Sequence, residues 1–295
     1  MTSIACSPRA KPRRKERTKR LHPIGQLRVP IACKQMCLII VESRIDAEMP
    51  LLVAANRDEK LERAAVTATV LQATAPRIIG GRDLVAHGTW LAVNEHGVVA
   101  GLTNRPSSSG RDPSKRSRGE LPLALAQHET AEASVDDFLR RFTSGDFNLG
   151  WLLVGDRRSL YYLTLNESGP IDSEALEPGL HVLGNGPLRE PSPKTDLVME
   201  HLAQARPTDL GVVAWLHRVL GDHTLPSGID GSLENRARQL QAACVHTEDY
   251  GTRSAALVTV PPDGTPNMWV ADGPPCRTPF VSVDHLWHAT AKPCR

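Results

Sequence analysis

Hydrophobic residues in this chain arrive in short bursts, most of them strand-length, divided by polar, glycine-bearing or proline-bearing stretches. The run Cys-Leu-Ile-Ile-Val-Glu at 37–42 and a second run at 51–55 predict two strands joined by a polar connection over 43–50. Asn56-Arg57-Asp58-Glu59 ends the second, and a polar stretch follows. Residues 88–93 and 98–103 predict a hairpin across the turn 94–97. Further strands are predicted over 147–154, 160–165, 181–183, 253–260 and 267–271, the last two divided by the turn Pro262-Asp263-Gly264. Helical spacing of apolar positions marks 121–127, 131–142, 194–205 and 209–220. Residues 105–118 read as a long, basic, serine-rich, exposed loop. Strands in runs with helical blocks between them predict α+β layers rather than alternating βαβ units.

Ahead of position 37 this patterning is missing. Residues 1–36 carry ten Lys/Arg against the single acidic residue Glu16, whereas the other 259 hold 25 Lys/Arg and 32 Asp/Glu. The overall charge of +2 thus hides a basic leader and an acidic body. With Pro8, Pro12, Pro23 and Pro30 and almost no apolar periodicity, the leader is expected to be disordered. It lacks the roughly 7–15-residue apolar stretch of a secretory signal. Three origins are open: a start assigned too early, a cleavable targeting peptide, or a basic arm that touches nucleic acid or membrane. Its Pro-, Arg- and Ala-rich text, like that of a GC-rich bacterial reading frame, favours the first. The expected organisation is therefore a leader over 1–36, outside the mature protein, and a domain over 37–295.

The body is long enough to bury a substantial core. No apolar run approaches the roughly 18–20 residues of a membrane helix. Six cysteines are scattered without C-x-x-C spacing, which predicts neither a disulfide scaffold nor a zinc site, and a reducing, cytoplasmic location is expected. His285, His288 and Cys294 lack an orderly further ligand, so no metal is expected there. No cofactor is expected either: Gly184-Asn185-Gly186-Pro187 has no third glycine at dinucleotide spacing, and there is no phosphate-binding loop. The cluster Lys115-Arg116-Ser117-Arg118 reads as the rim of a cleft or a solvated patch rather than a nucleic-acid reader.

Cys37 is the candidate nucleophile. A thiol titrates near ~8.5 and needs an activating base, while a free α-amine titrates at roughly 7.7–8.0. A chain that begins at Cys37 would carry both on one residue. The plain alternative is a buried structural cysteine at the start of a core strand.

The order of several strings distinguishes these readings. Met36-Cys37-Leu38, Asn56-Arg57-Asp58-Glu59, Gly88-Thr89-Trp90-Leu91, Leu102-Thr103-Asn104, Arg118-Gly119-Glu120-Leu121, Phe147-Asn148-Leu149, Leu183-Gly184-Asn185-Gly186-Pro187-Leu188 and Tyr250-Gly251-Thr252-Arg253 resemble, in sequence order, the NRDE or transport and Golgi organisation 2 family. That resemblance implies a branch of the N-terminal-nucleophile (Ntn) hydrolases, built as a four-layer αββα sandwich of two antiparallel sheets. Its nearer enzymatic relatives, penicillin V acylase and bile-salt hydrolase, cleave amides with an N-terminal cysteine. The family name reflects a cellular phenotype and fixes fold better than chemistry.

The resemblance also implies roles. Asp58 would accept a hydrogen bond from the nucleophile's amine, and Arg57 would hold the thiolate or a substrate carboxylate, with Trp90 in the substrate-binding region. Asn104 and Asn185 would stabilise the oxyanion by roughly 3–4 kcal/mol each. Arg253 would lie close to the thiol and lower its pKa. Taken singly, Asp58 and Asn185 are also turn or cap residues, and Arg253 also suits a surface ion pair. His87 and Ala92 depart from the family text, which has glycine at both places. The expected activity is hydrolysis of a small, partly apolar acyl amide through an acyl-enzyme on Cys37. The alternative is a non-catalytic binding or trafficking role for a lipid, acyl thioester or haem-like ligand. Neither nucleic acid nor a membrane span is expected as a partner.

Overall fold

In the computed structural model of the chain, the described residues are 37–190, 192–204, 211–227, 229 and 233–289. The leader and Cys294 therefore lie outside the described residues. The apolar bursts form strands β1 (Leu38–Asp46), β2 (Met49–Lys60), β3 (Ala65–Gln72), β4 (Ile78–Asp83), β5 (Leu91–Asn94), β6 (Val99–Asn104), β7 (Gly150–Gly155) and β8 (Leu160–Leu165). They continue as β9 (Asp172–Ala175), β10 (Gly179–Leu183), β11 (Tyr250–Val260), β12 (Asn267–Ala271) and β13 (Val281–Ser282). Helices α1 (Glu120–Leu125), α2 (Ala131–Arg141), α3 (Pro193–Ala203), α4 (Val212–Leu220) and α5 (Asn235–Gln239) lie between them.

Two antiparallel sheets result, ordered β10-β1-β2-β11-β12-β13 and β3-β4-β5-β6-β7-β8-β9. Alternation along each strand sends successive side chains to opposite faces and so creates separate cores. Ile39, Val41, Leu51 and Val53 pack with Leu91, Val93, Val99, Trp151 and Leu153 between the sheets. On the first sheet's other face, Leu38, Ile40, Leu52 and Ala54 pack against Val198 and Leu202 of α3 and Trp215, Leu216 and Leu220 of α4. On the second sheet's other face, Ala100, Leu152, Val154 and Leu163 pack against Leu121, Leu125, Val135 and Phe138 of α1 and α2. The layers run α, β, β, α, as the family resemblance implies.

Several elements were not foreseen from the pattern. The polar stretch after residue 59 contains β3 and β4. Strand β3 is half-exposed with two register irregularities, and β4 carries Gly80-Gly81, a pair that reads as a turn. A Cβ on Gly81 would come within 2.1 Å of the Trp90 indole, so this glycine leaves room for that ring. Strand β9 is exposed at every residue and carries no hydrophobic signal. Residues 88–90 are not strand; the chain bends at 87 and 90, and between them Gly88 meets the backbone of Gly119 closely enough that a Cβ would stand 2.6 Å away. The first residues of the helix expected over 209–220 lie partly outside the described residues.

Candidate active site

Antiparallel pairing of β1 with β2 sets Leu38 opposite Asn56, which brings Cys37, just ahead of β1, to the end of β2 that carries Asn56-Arg57-Asp58-Glu59. Alternation then divides the four-residue string. Arg57 and Glu59 share the inter-sheet face and, with Cys37, line a cavity of about 120 Å³. Asn56 faces the helix layer, where its Nδ2 donates to the carbonyls of Leu220 and Ala243, both at 2.9 Å. Asn56 is thus a tie between β2, the end of α4 and the segment ahead of β11.

Asp58 is 2 % exposed. Its Oδ1 accepts from Thr252 Oγ1 at 2.6 Å, and its Oδ2 stands 3.5 Å from Lys194 Nζ. Lys194 is itself buried, at the start of α3, with Pro193 before it and Ser192 capping the helix through Thr195 N–H. Neither Asp58 Oδ2 nor Lys194 Nζ meets a hydrogen-bond partner among the described residues. Burial pushes the Asp58 carboxyl above its ordinary range, against the pull of Lys194 and Thr252. Its backbone carbonyl accepts from Tyr250 Oη at 2.9 Å and faces Cys37 Sγ at 3.9 Å. Lys194 escaped the sequence reading because a lysine opening an amphipathic helix is usually solvent-facing; Pro193 beside it signals a helix start, not a buried charge.

With Cys37 inside the chain, burial is the largest influence on its thiol and the Asp58 charge the next, and together they push it up to about 11. Arg57 and the Asp58 backbone pull the other way. The Arg57 guanidinium lies 4.5 Å from the Trp90 ring centroid and pairs with Asp83 at 3.6 Å and Glu59 at 3.9 Å. Burial lowers the Arg57 pKa from its usual value. Arg63 closes the group, bonded to Asp83 at 2.7 Å. The basic loop contributes Arg111, Arg116 and Arg118 to the cavity wall. Arg118 falls to about 10, through burial and then the charge of Arg111, and it donates to the Leu149 carbonyl. Arg116 is held by Glu120 at 2.6 Å. This cluster rims the cleft.

Asn104, at the end of β6, lines the cavity. Asn185 does not line it; it sits against Asn104, donating from Nδ2 to that residue's carbonyl at 3.2 Å. Arg253 is not brought to the thiol. A register shift in β11 between Thr252 and Ser254 leaves it as the extra residue of a bulge, and its guanidinium turns to the Leu61 carbonyl. Arg57 and Arg118 are the guanidiniums whose charge reaches Cys37. His285 and His288 lie at the turn that spans Asp284–Trp287, away from the cavity-lining residues. No helix among the described residues is long and apolar enough to cross a membrane.

Two stacked antiparallel sheets between helix layers are the fold of the Ntn hydrolases. A solved structure described as the Caenorhabditis elegans ortholog of N-acylethanolamine-hydrolyzing acid amidase is similar to this chain, with a TM-score of 0.50 at 12% identity, covering 77% of this chain and 94% of that one. The chain belongs to the Transport and Golgi organisation 2 family, whose model matches residues 36–270. It is 30% identical over 241 residues to the Bos taurus Transport and Golgi organization protein 2 homolog, covering 72% of this chain and 83% of that protein. The Homo sapiens homolog is 29% identical with the same coverage. These relatives are animal proteins and lend no support to a bacterial reading of the leader's composition.

Proposed function

We propose that the mature protein begins at Cys37 and is an Ntn amide hydrolase acting on a small acyl amide that carries an anionic group. The observation that supports this most directly is the placement of Cys37, on the inter-sheet face at the cavity, against the backbone carbonyl of Asp58, within reach of that residue's charge and of Arg57 and Arg118. Once residue 36 is gone, the Cys37 α-amine is the base. It takes the thiol proton and, as an ammonium, hydrogen-bonds toward Asp58. The thiolate attacks the acyl carbon, and the Asn104 side chain stabilises the oxyanion while Asn185 braces Asn104. Collapse of the tetrahedral intermediate breaks the C–N bond, and the leaving amine takes the proton from the ammonium. Water, deprotonated by the same amine, then hydrolyses the thioester. Glu59 and Asp83 are engaged by Arg57 and Arg63, so Arg111 and Arg118 give the cavity an excess of positive charge suited to a carboxylate or phosphate on the substrate.

The test compares the full chain with a chain released at Cys37, each given an activated acyl amide. A burst of product equal to the enzyme, with the acyl group mapped to Cys37 only in the released chain, is expected. A released chain that stays unlabelled, or labels equally after Cys37→Ala, sinks the proposal.

A second reading rests on the thiol itself. While Cys37 is inside the chain its pKa near 11 leaves it protonated and weakly nucleophilic, and the basic cavity is then a binding site for an anionic acyl ligand. Ligand binding that survives Cys37→Ala while no turnover occurs in the released chain would favour it.

A further inference from the structure

Away from the cavity, three stretches of chain converge beyond the helix-facing side of the first sheet. His223 follows the end of α4, Cys244 and His246 flank Val245 ahead of β11, and Cys276 lies on the loop after β12. Their ligand atoms all lie within 4.8 Å of one another. His246 Nε2 stands 3.2 Å from Cys276 Sγ and 3.8 Å from Cys244 Sγ, and the two imidazole rings are 4.9 Å apart. Zinc bonds of about 2.3 Å to sulfur and about 2.0–2.1 Å to nitrogen define a tetrahedron with edges of roughly 3.3–3.8 Å. The observed nitrogen–sulfur separations match that size. With all four ligand atoms within 4.8 Å of one another, one ion can be reached by all of them.

The backbone builds the convergence. Cys244 N–H donates to the Asp222 carbonyl at 2.8 Å, which joins the first two stretches. Gly221 approaches Cys276 so closely that a Cβ would lie 3.2 Å from its backbone nitrogen, which joins the third. His223 Nδ1 lies 2.9 Å from the Cys244 carbonyl and donates to it, a tautomer that keeps a lone pair on the other ring nitrogen. Both cysteines are free thiols. C-x-H with a distant His and a distant Cys has no short-range signature, which is why spacing alone predicts no zinc site.

We propose that His223, Cys244, His246 and Cys276 bind a single thiophilic divalent cation, Zn²⁺ foremost, in a structural Cys2His2 site. Two thiolates and two neutral imidazoles balance the ion's charge, and the two thiol protons leave to solvent on binding. Four protein ligands close the coordination shell, so the site holds structure and does not activate water. What it holds is traceable. Val245, between two ligands, donates its N–H to Thr252 Oγ1 at 2.9 Å, and that hydroxyl donates to Asp58 Oδ1 at 2.6 Å. The cation therefore fixes the segment that positions the partner of Asp58.

The experiment uses the full chain expressed with zinc, followed by exchange with Co²⁺. One zinc per chain is expected, and Co²⁺ should give the intense visible bands of a tetrahedral site together with thiolate-to-metal charge transfer. Chelation should expose two further titratable thiols. His223→Gln, at an exposed ring, should keep the circular dichroism of the parent and weaken metal binding roughly tenfold or more. Cys276→Ser should remove the charge-transfer band or halve it. A protein without zinc that gives no such cobalt spectrum overturns the proposal. So does a Cys244–Cys276 disulfide, seen as a mass lowered by two hydrogens, or a His223→Gln chain that is folded and binds the metal unchanged.

Discussion

With its thiol near 11, Cys37 in the uninterrupted chain carries thiolate in only about one molecule in 10⁴ at neutral pH. Its alkylation by iodoacetamide should rise about tenfold per pH unit from 7 to about 10. In a chain that begins at Cys37, the added ammonium charge favours the thiolate, so the curve should move to lower pH. Coincident curves would show that the amine does not reach the sulfur. Lys194 answers Asp58 in the same economical way: each is buried, and each is the other's counter-charge. Lys194→Met should destabilise the fold by about 3–5 kcal/mol. The sign of its pH dependence follows from Asp58, whose folded pKa is already raised. The Asp58 contribution is present at low pH, where the protonated acid needs no cation, and is lost as pH rises through the folded pKa. Urea denaturation should therefore show a smaller deficit at pH 5 than at pH 8; an equal deficit would contradict this. His87, which stands where the family text has glycine, has a φ of +59°. His87→Gly should stabilise by about 0.5–1 kcal/mol, measured by thermal unfolding. At this scale the sequence exposes Cys37, Arg57, Asp58, Trp90 and Asn104 as cavity neighbours, because each sits in a recognisable string. It hides the placement of Arg253, which depends on a strand bulge, and of Lys194, which depends on tertiary burial.

Elements locate these residues by a few backbone contacts. The Asn56 side chain fastens β2 to the end of α4 and to Ala243. Asn56→Ala leaves two buried carbonyls without donors and should cost about 2–4 kcal/mol in denaturant unfolding. A cost under about 0.5 kcal/mol would mean that the tie is not needed. The approach of Gly88 to Gly119, sealed by the bond from Thr89 N–H to the Gly119 carbonyl at 2.9 Å, sets one wall of the cavity. That contact explains why two glycine-bearing strings far apart in sequence occur together: they are one backbone junction. Strands β1, β2, β5, β6, β7, β8, β10, β11 and β12 are legible because they carry apolar runs. Strands β3 and β9 are edges of the second sheet with weak or absent inward patterning, and β4 hides behind its glycine pair.

For the whole molecule, the α+β layering is readable from periodicity, while the stacking of two sheets came from the order of motifs, since no local pattern says which sheet a strand joins. Among the described residues, the cores that pack the layers are assembled from positions after Cys37. From its composition the leader is expected to add no packing, so a chain starting at Cys37 should unfold at the same temperature as the full chain, as scanning calorimetry would show; a large drop would make the leader a structural part. Because β2 sends the Asp58–Lys194 pair to one side and the Arg57–Glu59 group to the other, the charges that act on Cys37 reach it from both faces of one strand. Substitutions under α3 would change the carboxylate's influence from outside the cavity, whereas changes at Arg57 or Arg118 would alter the thiol and the cavity wall together. The thiol can thus be tuned from beneath the sheet with the cavity left as it is, but the cavity's arginines cannot be exchanged without retuning the thiol.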